Sequence, residues 1–236
     1  MRRVEAVREN RDSSKRETTK ELAATPTLFG EIRQPRITYL AIPKTGSINR
    51  RYLPIGFLTA DVIASTDIFT CAGASNFHFG ILISSMHMAW LLTVGGRFKS
   101  DPRYSAGLVY NNFPWPNSTP AQLARVEEAA QAVLDARAPH LPPRGMSTLA
   151  DLYDPNTMPP ELHRTHTELD RAVERCYRAD RFTSDRERVE FLFRLYEQKT
   201  APLLPATPAA RGRRQTATVT PRPRRGRTPG LPSQAD

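Results

Sequence analysis

Between Gly95 and Ser105 the chain reads GGRFKSDPRYS, which places Arg97, Lys99, Asp101 and Arg103 at every second position. Alternate residues of an extended segment project to one side, so this spacing would present a donor, a donor, an acceptor and a donor along one edge. Such an edge can address base pairs. In the major groove lysine donates to guanine O6 and N7, and a carboxylate accepts from the cytosine N4 amino group, so Lys99 and Asp101 together would address both halves of one G·C pair. Each correct contact is worth about 1–3 kcal/mol of discrimination, and a swapped pair would set lysine against a donor and aspartate against acceptors. Arg97 and Arg103 suit phosphate contacts as well as base contacts. The same residues fit a plainer arrangement, a solvated turn in which Lys99 and Asp101 form an exposed ion pair of at most about 1 kcal/mol. Spacing alone favours that turn, and Pro102 bends the alternation.

Other reactive patterns are missing. No Gly-rich turn follows a predicted strand as nucleotide or S-adenosylmethionine binding would need, and there is no P-loop. Asn112-Phe113-Pro114-Trp115 has phenylalanine where an Asn-Pro-Pro-aromatic motif needs proline, and Thr157 and Met158 interrupt the run from Asn156 to Pro160. No spacing fixes a Ser-His-Asp set. His163 and His166 would be half of a zinc site without a Cys pair, so they are read as helix-flank residues. His87 is read as a hydrogen-bonded polar position on an apolar helix. Cys71 and Cys176 are distant in sequence and not expected to pair, and with no secretory signal or membrane-length apolar run they point to a reducing cytoplasm. Catalytic, cofactor and metal residues are accordingly expected to be none.

The scaffold around the basic run can be read from periodicity. The 236 residues carry a net charge of +10, which suits a polyanionic partner, and the segment from Ala201 onward supplies six of those charges through seven arginines and one aspartate. Residues 1–24 are charged and poor in apolar side chains, as in a solvated helical lead-in. From 25 to 117, β-favouring runs at Ile37–Ile42, Tyr52–Phe57, Val62–Ile63 and Ile68–Phe69 predict a small antiparallel sheet, and residues 78–96 predict one broadly buried helix ended by Gly95-Gly96. From 118 to 200 three amphipathic helices are expected. The first starts at Ser118-Thr119-Pro120 with Leu123, Val126, Ala130, Val133 and Leu134 inward, the second near Pro159-Pro160, and the third at a Ser184/Glu187 capping box. Residues 201–236, rich in Pro, Ala, Thr and Arg, are expected to be disordered. The fold class is α+β: a small mixed or antiparallel β-rich domain with a buried helix, then a helical bundle and a basic tail.

Five runs, LFGEIRQP at 28–35, RRYLPIGFL at 50–58, HFGILISSMHMAW at 78–90, GGRFKSDPRYS at 95–105 and YNNFPWP at 110–116, resemble the target-recognition domain of the MmeI-type single-chain restriction-modification enzymes. TLADLYDPNTMPPEL at 148–162, LDRAVERCYR at 169–178 and ERVEFLFRLYE at 187–197 resemble that family's C-terminal helical region. The resemblance implies a bacterial adenine-specific (N6) DNA methyltransferase, in some members joined to a nuclease, whose recognition domain docks in the major groove beside a Rossmann-like catalytic domain. Only the recognition half is matched. The resemblance therefore places S-adenosylmethionine and catalysis on a methyltransferase domain of a separate chain, or lost, and implies double-stranded DNA as the partner here, with no membrane.

The family reads bases with the charged positions flanking the serine of its GR-x-K/E-S-x-x-R-Y-S motif, which in this chain are Lys99 and Asp101. Arg103 matches the later arginine as a further reader or phosphate clamp, and Arg97, Arg50 and Arg51 are assigned to the DNA backbone. Proline at 102 stands where the family often has an aromatic residue. Ser75, Asn76 and His78 are further candidates for contacts. Two other functions stay open: a free-standing nucleic-acid binder without sequence preference, driven by the arginine tail, and an inactive remnant. A self-sufficient methyltransferase would need a cofactor site that the sequence does not display.

Overall fold

The computed structural model describes residues 2–201; the arginine-rich tail expected to be disordered lies, from 202 onward, outside the described residues. The charged lead-in forms α1 (Arg2–Asp12), which buries no residue, and the short α2 (Glu17–Glu21), which runs into one 3₁₀ turn at Leu22–Ala24. Arg11 ties this hook together from within. Its guanidinium donates to the Leu22, Thr25 and Leu28 carbonyls at 2.8–2.9 Å.

Strand β1 (Tyr39–Pro43) runs antiparallel between β2 (Gly56–Leu58) and β3 (Ile68–Ala72). Tyr39, Leu40, Ala41 and Ile42 are all buried, since a strand covered on both faces needs apolar side chains at successive positions. Val62 and Ile63, expected to form a strand, do not. They lie exposed in the β2–β3 loop, where the Val62 carbonyl accepts from the Gln34 amide and the Tyr39 hydroxyl.

The single helix expected over 78–96 is in fact two, α3 (Asn76–Ile83) and α4 (Ser85–Val94), whose directions differ by 56°. Ser84 makes the break. Its backbone is extended (φ −73°, ψ 162°), and its Oγ donates to the Ile81 carbonyl at 2.7 Å while accepting the His87 N–H, so it caps the second helix. Both helices are apolar on every side, as core helices must be.

They pack against α5 (Pro120–Arg137), α7 (Pro160–Arg175) and α8 (Asp185–Thr200), with the one-turn α6 (Leu149–Leu152) between α5 and α7. Residues 118–200 thus form the three long helices that the sequence pattern suggests, with the one-turn α6 added. One continuous core runs from Leu40, Phe79 and Trp90 to Val126, Leu162 and Leu192. Helix α5 starts as expected, capped by Thr119 with Pro120 in its first turn. Leu123, expected inward, is 38% exposed, and Arg137 is buried instead. At α8 only half of the capping box forms. Ser184 accepts the Glu187 N–H, but the Glu187 carboxylate turns to the Thr183 N–H and to Arg178, which hold its pKa down to about 2.

A buried polar chain joins the two regions of the core. Arg137 donates to the Ile55 carbonyl at 2.8 Å and to the Tyr153 hydroxyl, which donates onward to His166 Nε2 at 2.6 Å. The Tyr52 ring stacks on His166 at 4.1 Å, and its hydroxyl donates to Asp170 Oδ2 at 2.8 Å, beside a 2.7 Å bond from the Ser85 N–H to Oδ1. Buried charges require such partners. Among the described residues no single helix is long and apolar enough to cross a membrane.

Candidate nucleic-acid interface

GGRFKSDPRYS folds as a hairpin, β4 (Gly96–Phe98) against β5 (Asp101–Arg103), with Gly96 opposite Arg103, Arg97 opposite Pro102 and Phe98 opposite Asp101. The single extended edge expected for Arg97, Lys99, Asp101 and Arg103 is therefore not what forms. Lys99 and Ser100 are the turn, and the chain reverses between Lys99 and Asp101. Lys99 has φ 56°, the positive angle at the first turn position that a type II′ hairpin requires. A side chain there costs about 1–2 kcal/mol relative to glycine.

The register sorts the side chains. Phe98, Asp101 and Arg103 share one face of the ribbon, and Arg97 and Pro102 share the other. Pro102 is buried, while Arg97 is exposed and donates to the Leu92 carbonyl near the end of α4 at 2.7 Å. Lys99 and Arg103 are exposed, and the Arg103 guanidinium stands 6.0 Å from the centre of the Phe98 ring. Sequence spacing does not single out Phe98, which is 54% exposed; only the hairpin register brings it beside the two charged residues.

The hairpin rests on the segment after β1. Tyr104 N–H donates to the Lys44 carbonyl at 2.7 Å and Gly46 N–H to the Pro102 carbonyl at 2.9 Å. A Cβ at Gly46 would stand 3.1 Å from Leu53 Cδ1 and 3.3 Å from Pro102 Cγ, so glycine permits this approach. At Gly95 a Cβ would meet the Leu91 carbonyl oxygen at 2.5 Å, which explains a glycine where α4 gives way to the hairpin. Below, the buried Tyr104 hydroxyl meets His87 Nε2 at 2.9 Å, and burial pushes the His87 pKa down to about 3. Phe113, Tyr110 and Trp115 close the far side edge to face at 5.6–5.8 Å. Asp101 Oδ1 accepts the Ile48 N–H at 3.0 Å and so ties the hairpin to the loop bearing Arg50 and Arg51.

That loop is steered by the C-terminal helices. Arg50 donates to the Ala150 carbonyl at 3.1 Å; Arg51 lies 3.3 Å from His163 Nε2 and 3.7 Å from Asp170 Oδ2. Together with Arg188, which pairs with Glu174 and Asp185, they edge a groove of about 380 Å³ reaching Leu92. Ser75, Asn76 and His78 have local duties. Ser75 and His78 form the capping box of α3, and Asn76 donates to Gln131 at 2.9 Å.

Doubly wound cofactor folds bind ligands at the carboxyl ends of parallel strands, and every strand among the described residues pairs antiparallel. His166 lies in the buried chain and His163 against Arg51, and among the described residues no group of three or more His, Cys, Asp or Glu is placed to hold a metal. Cys71, on β3, and Cys176, buried at the end of α7, are both free.

Comparison with known proteins agrees with this architecture. A family model described as the MmeI target recognition domain matches residues 1–117, and one described as the MmeI C-terminal domain matches residues 118–204. DNA methyltransferase A of Bacillus subtilis (strain 168) is 41% identical over 198 residues, covering 84% of this chain and 22% of that protein. The solved structure of the Type IIL restriction-modification enzyme MmeI in complex with DNA is similar with a TM-score of 0.76 at 42% identity, over 84% of this chain and 26% of that one. The chain thus spans about a quarter of the length of these relatives.

Proposed function

The chain belongs to the MmeI family, of which it carries the target recognition and C-terminal domains, and on that premise we propose that it reads the DNA sequence for an adenine-specific methyltransferase of a restriction-modification system. The observation that carries this is the hairpin tip. A two-stranded ribbon is one of the shapes that the major groove admits, and this one holds Lys99 exposed at a strained turn with Asp101 and Arg103 on its flank. Lys99 donates to guanine O6 and N7. Asp101 turns Oδ2 to the cytosine N4 amino group, since Oδ1 is held by Ile48.

Arg103 serves as a further base reader or phosphate clamp. Arg97, Arg50 and Arg51 bind phosphates, each with guanidinium donors left over after its internal bond. Methyl transfer from S-adenosylmethionine belongs to the methyltransferase domain that this recognition region serves. Phe29, Ile32 and Ile63, at 68–74% exposure, supply apolar surface for that domain.

The test is enrichment of duplexes from a randomised pool by the purified full chain at physiological salt. One preferred motif containing a G·C pair is expected. Retention without preference, steeply weakened by salt, would instead mark a non-specific binder working through phosphate neutralisation, and would overturn the proposal.

A further inference from the structure

Phe98 is a large apolar side chain left 54% exposed on the ribbon face that carries Asp101 and Arg103. It lies directly across from Asp101, and it is the Arg103 guanidinium, 6.0 Å from the ring centre, that stands over it. The pairing gives the ring a defined place beside the charged residues. We propose that Phe98 is a specificity-determining residue whose ring contacts the 5-methyl group of a thymine next to the G·C pair addressed by Lys99 and Asp101; this rests on the hairpin lying in the major groove.

The chemistry of that groove selects the ligand group. Its base edges present hydrogen-bond donors and acceptors and, on thymine alone, an apolar methyl, which an apolar side chain such as phenylalanine can contact. Aromatic and aliphatic wedges that part base steps enter from the minor groove, so a ring carried on a major-groove ribbon meets methyl groups rather than the stack. Asp101 and Arg103, both on the neighbouring strand, share the ring's face, so the ring faces the same row of base edges that they address.

Replacing each thymine of the enriched site in turn by deoxyuridine removes only its methyl group. The chain should lose affinity about fourfold or more at one such position, the effect of one methyl-sized group no longer buried. Phe98→Ala should bind the thymine and uracil forms of that site equally, Phe98→Leu should keep part of the difference, and both should retain the wild-type denaturation midpoint. A site without a uracil-sensitive thymine, or sensitivity that persists in Phe98→Ala, would overturn the assignment. If no motif is enriched at all, the hairpin reading fails with it; if a motif is enriched and responds to residues 99 and 101 but no methyl matters, only the role of Phe98 fails.

Discussion

Asp101 Oδ1 accepts the Ile48 N–H at 3.0 Å, so the carboxylate beside the hairpin tip also clamps the hairpin to the loop of Arg50 and Arg51. One oxygen fixes the position of the other, so the carboxylate proposed to read a base is oriented before DNA arrives.

Asp101→Asn keeps an acceptor for Ile48 and exchanges the second oxygen for a donor. Its denaturant midpoint should stay close to wild type, whereas Asp101→Ala should lose about 1 kcal/mol of stability with the bond. Both should lose preference for the G·C form of the site, because neither offers an acceptor to cytosine N4. A binding assay on G·C and C·G duplexes beside a denaturation curve reads both effects; an Asn variant that discriminates like wild type would contradict the assignment.

Lys99 occupies φ 56°, which glycine adopts without penalty. Lys99→Gly should therefore raise stability by about 1 kcal/mol while discrimination at its base pair collapses. Loss of stability together with specificity would mean that the lysine is there to hold the turn.

Tyr52 reaches from the recognition region to Asp170 on α7 through its hydroxyl. Tyr52→Phe removes one donor from a buried carboxylate and should lower the unfolding free energy by about 1–3 kcal/mol. One cooperative transition should remain, since a single core spans both regions. Two separated transitions would show that the regions fold independently.

Burial holds the His87 pKa near 3 and pushes that of His166 well below its ordinary value, with Arg137 adding to the latter. Below about pH 6.5 the unfolded chain binds protons that the folded chain does not, so stability falls as pH drops, by up to about 1.4 kcal/mol per pH unit for each histidine. Asp170 acts in the opposite sense, because burial raises its pKa and the folded state takes up that proton first. Denaturant midpoints at about pH 7.5 and about pH 5.5, on either side of the unfolded histidine pKa, should differ, with the lower value at the acid end, and His87→Leu should shrink the difference. An unchanged difference in the variant would contradict a neutral, buried His87.

Much of this is legible in the sequence because it is local. Thr119 and Pro120 mark the start of α5 through cap chemistry decided within one turn, and the apolar runs mark β1 and β3. Ser84 is not legible, since the apolar pattern continues on both sides of it and serine is tolerated inside helices. The hairpin is hidden for a different reason. Arg97, Lys99, Asp101 and Arg103 alternate in number, yet a two-residue turn lies among them, and its positive φ falls on a lysine, without the Gly or Asn that signals such turns. The Asp101–Ile48 bond joins residues 53 positions apart and could come only from the folded chain.

The most direct measurement exchanges the two charges. Lys99→Glu combined with Asp101→Arg, carried through the same enrichment from random duplexes, should return the wild-type motif with one G·C pair changed to C·G and the other positions unaltered. An identical motif from both proteins would contradict the claim that these two side chains read that pair.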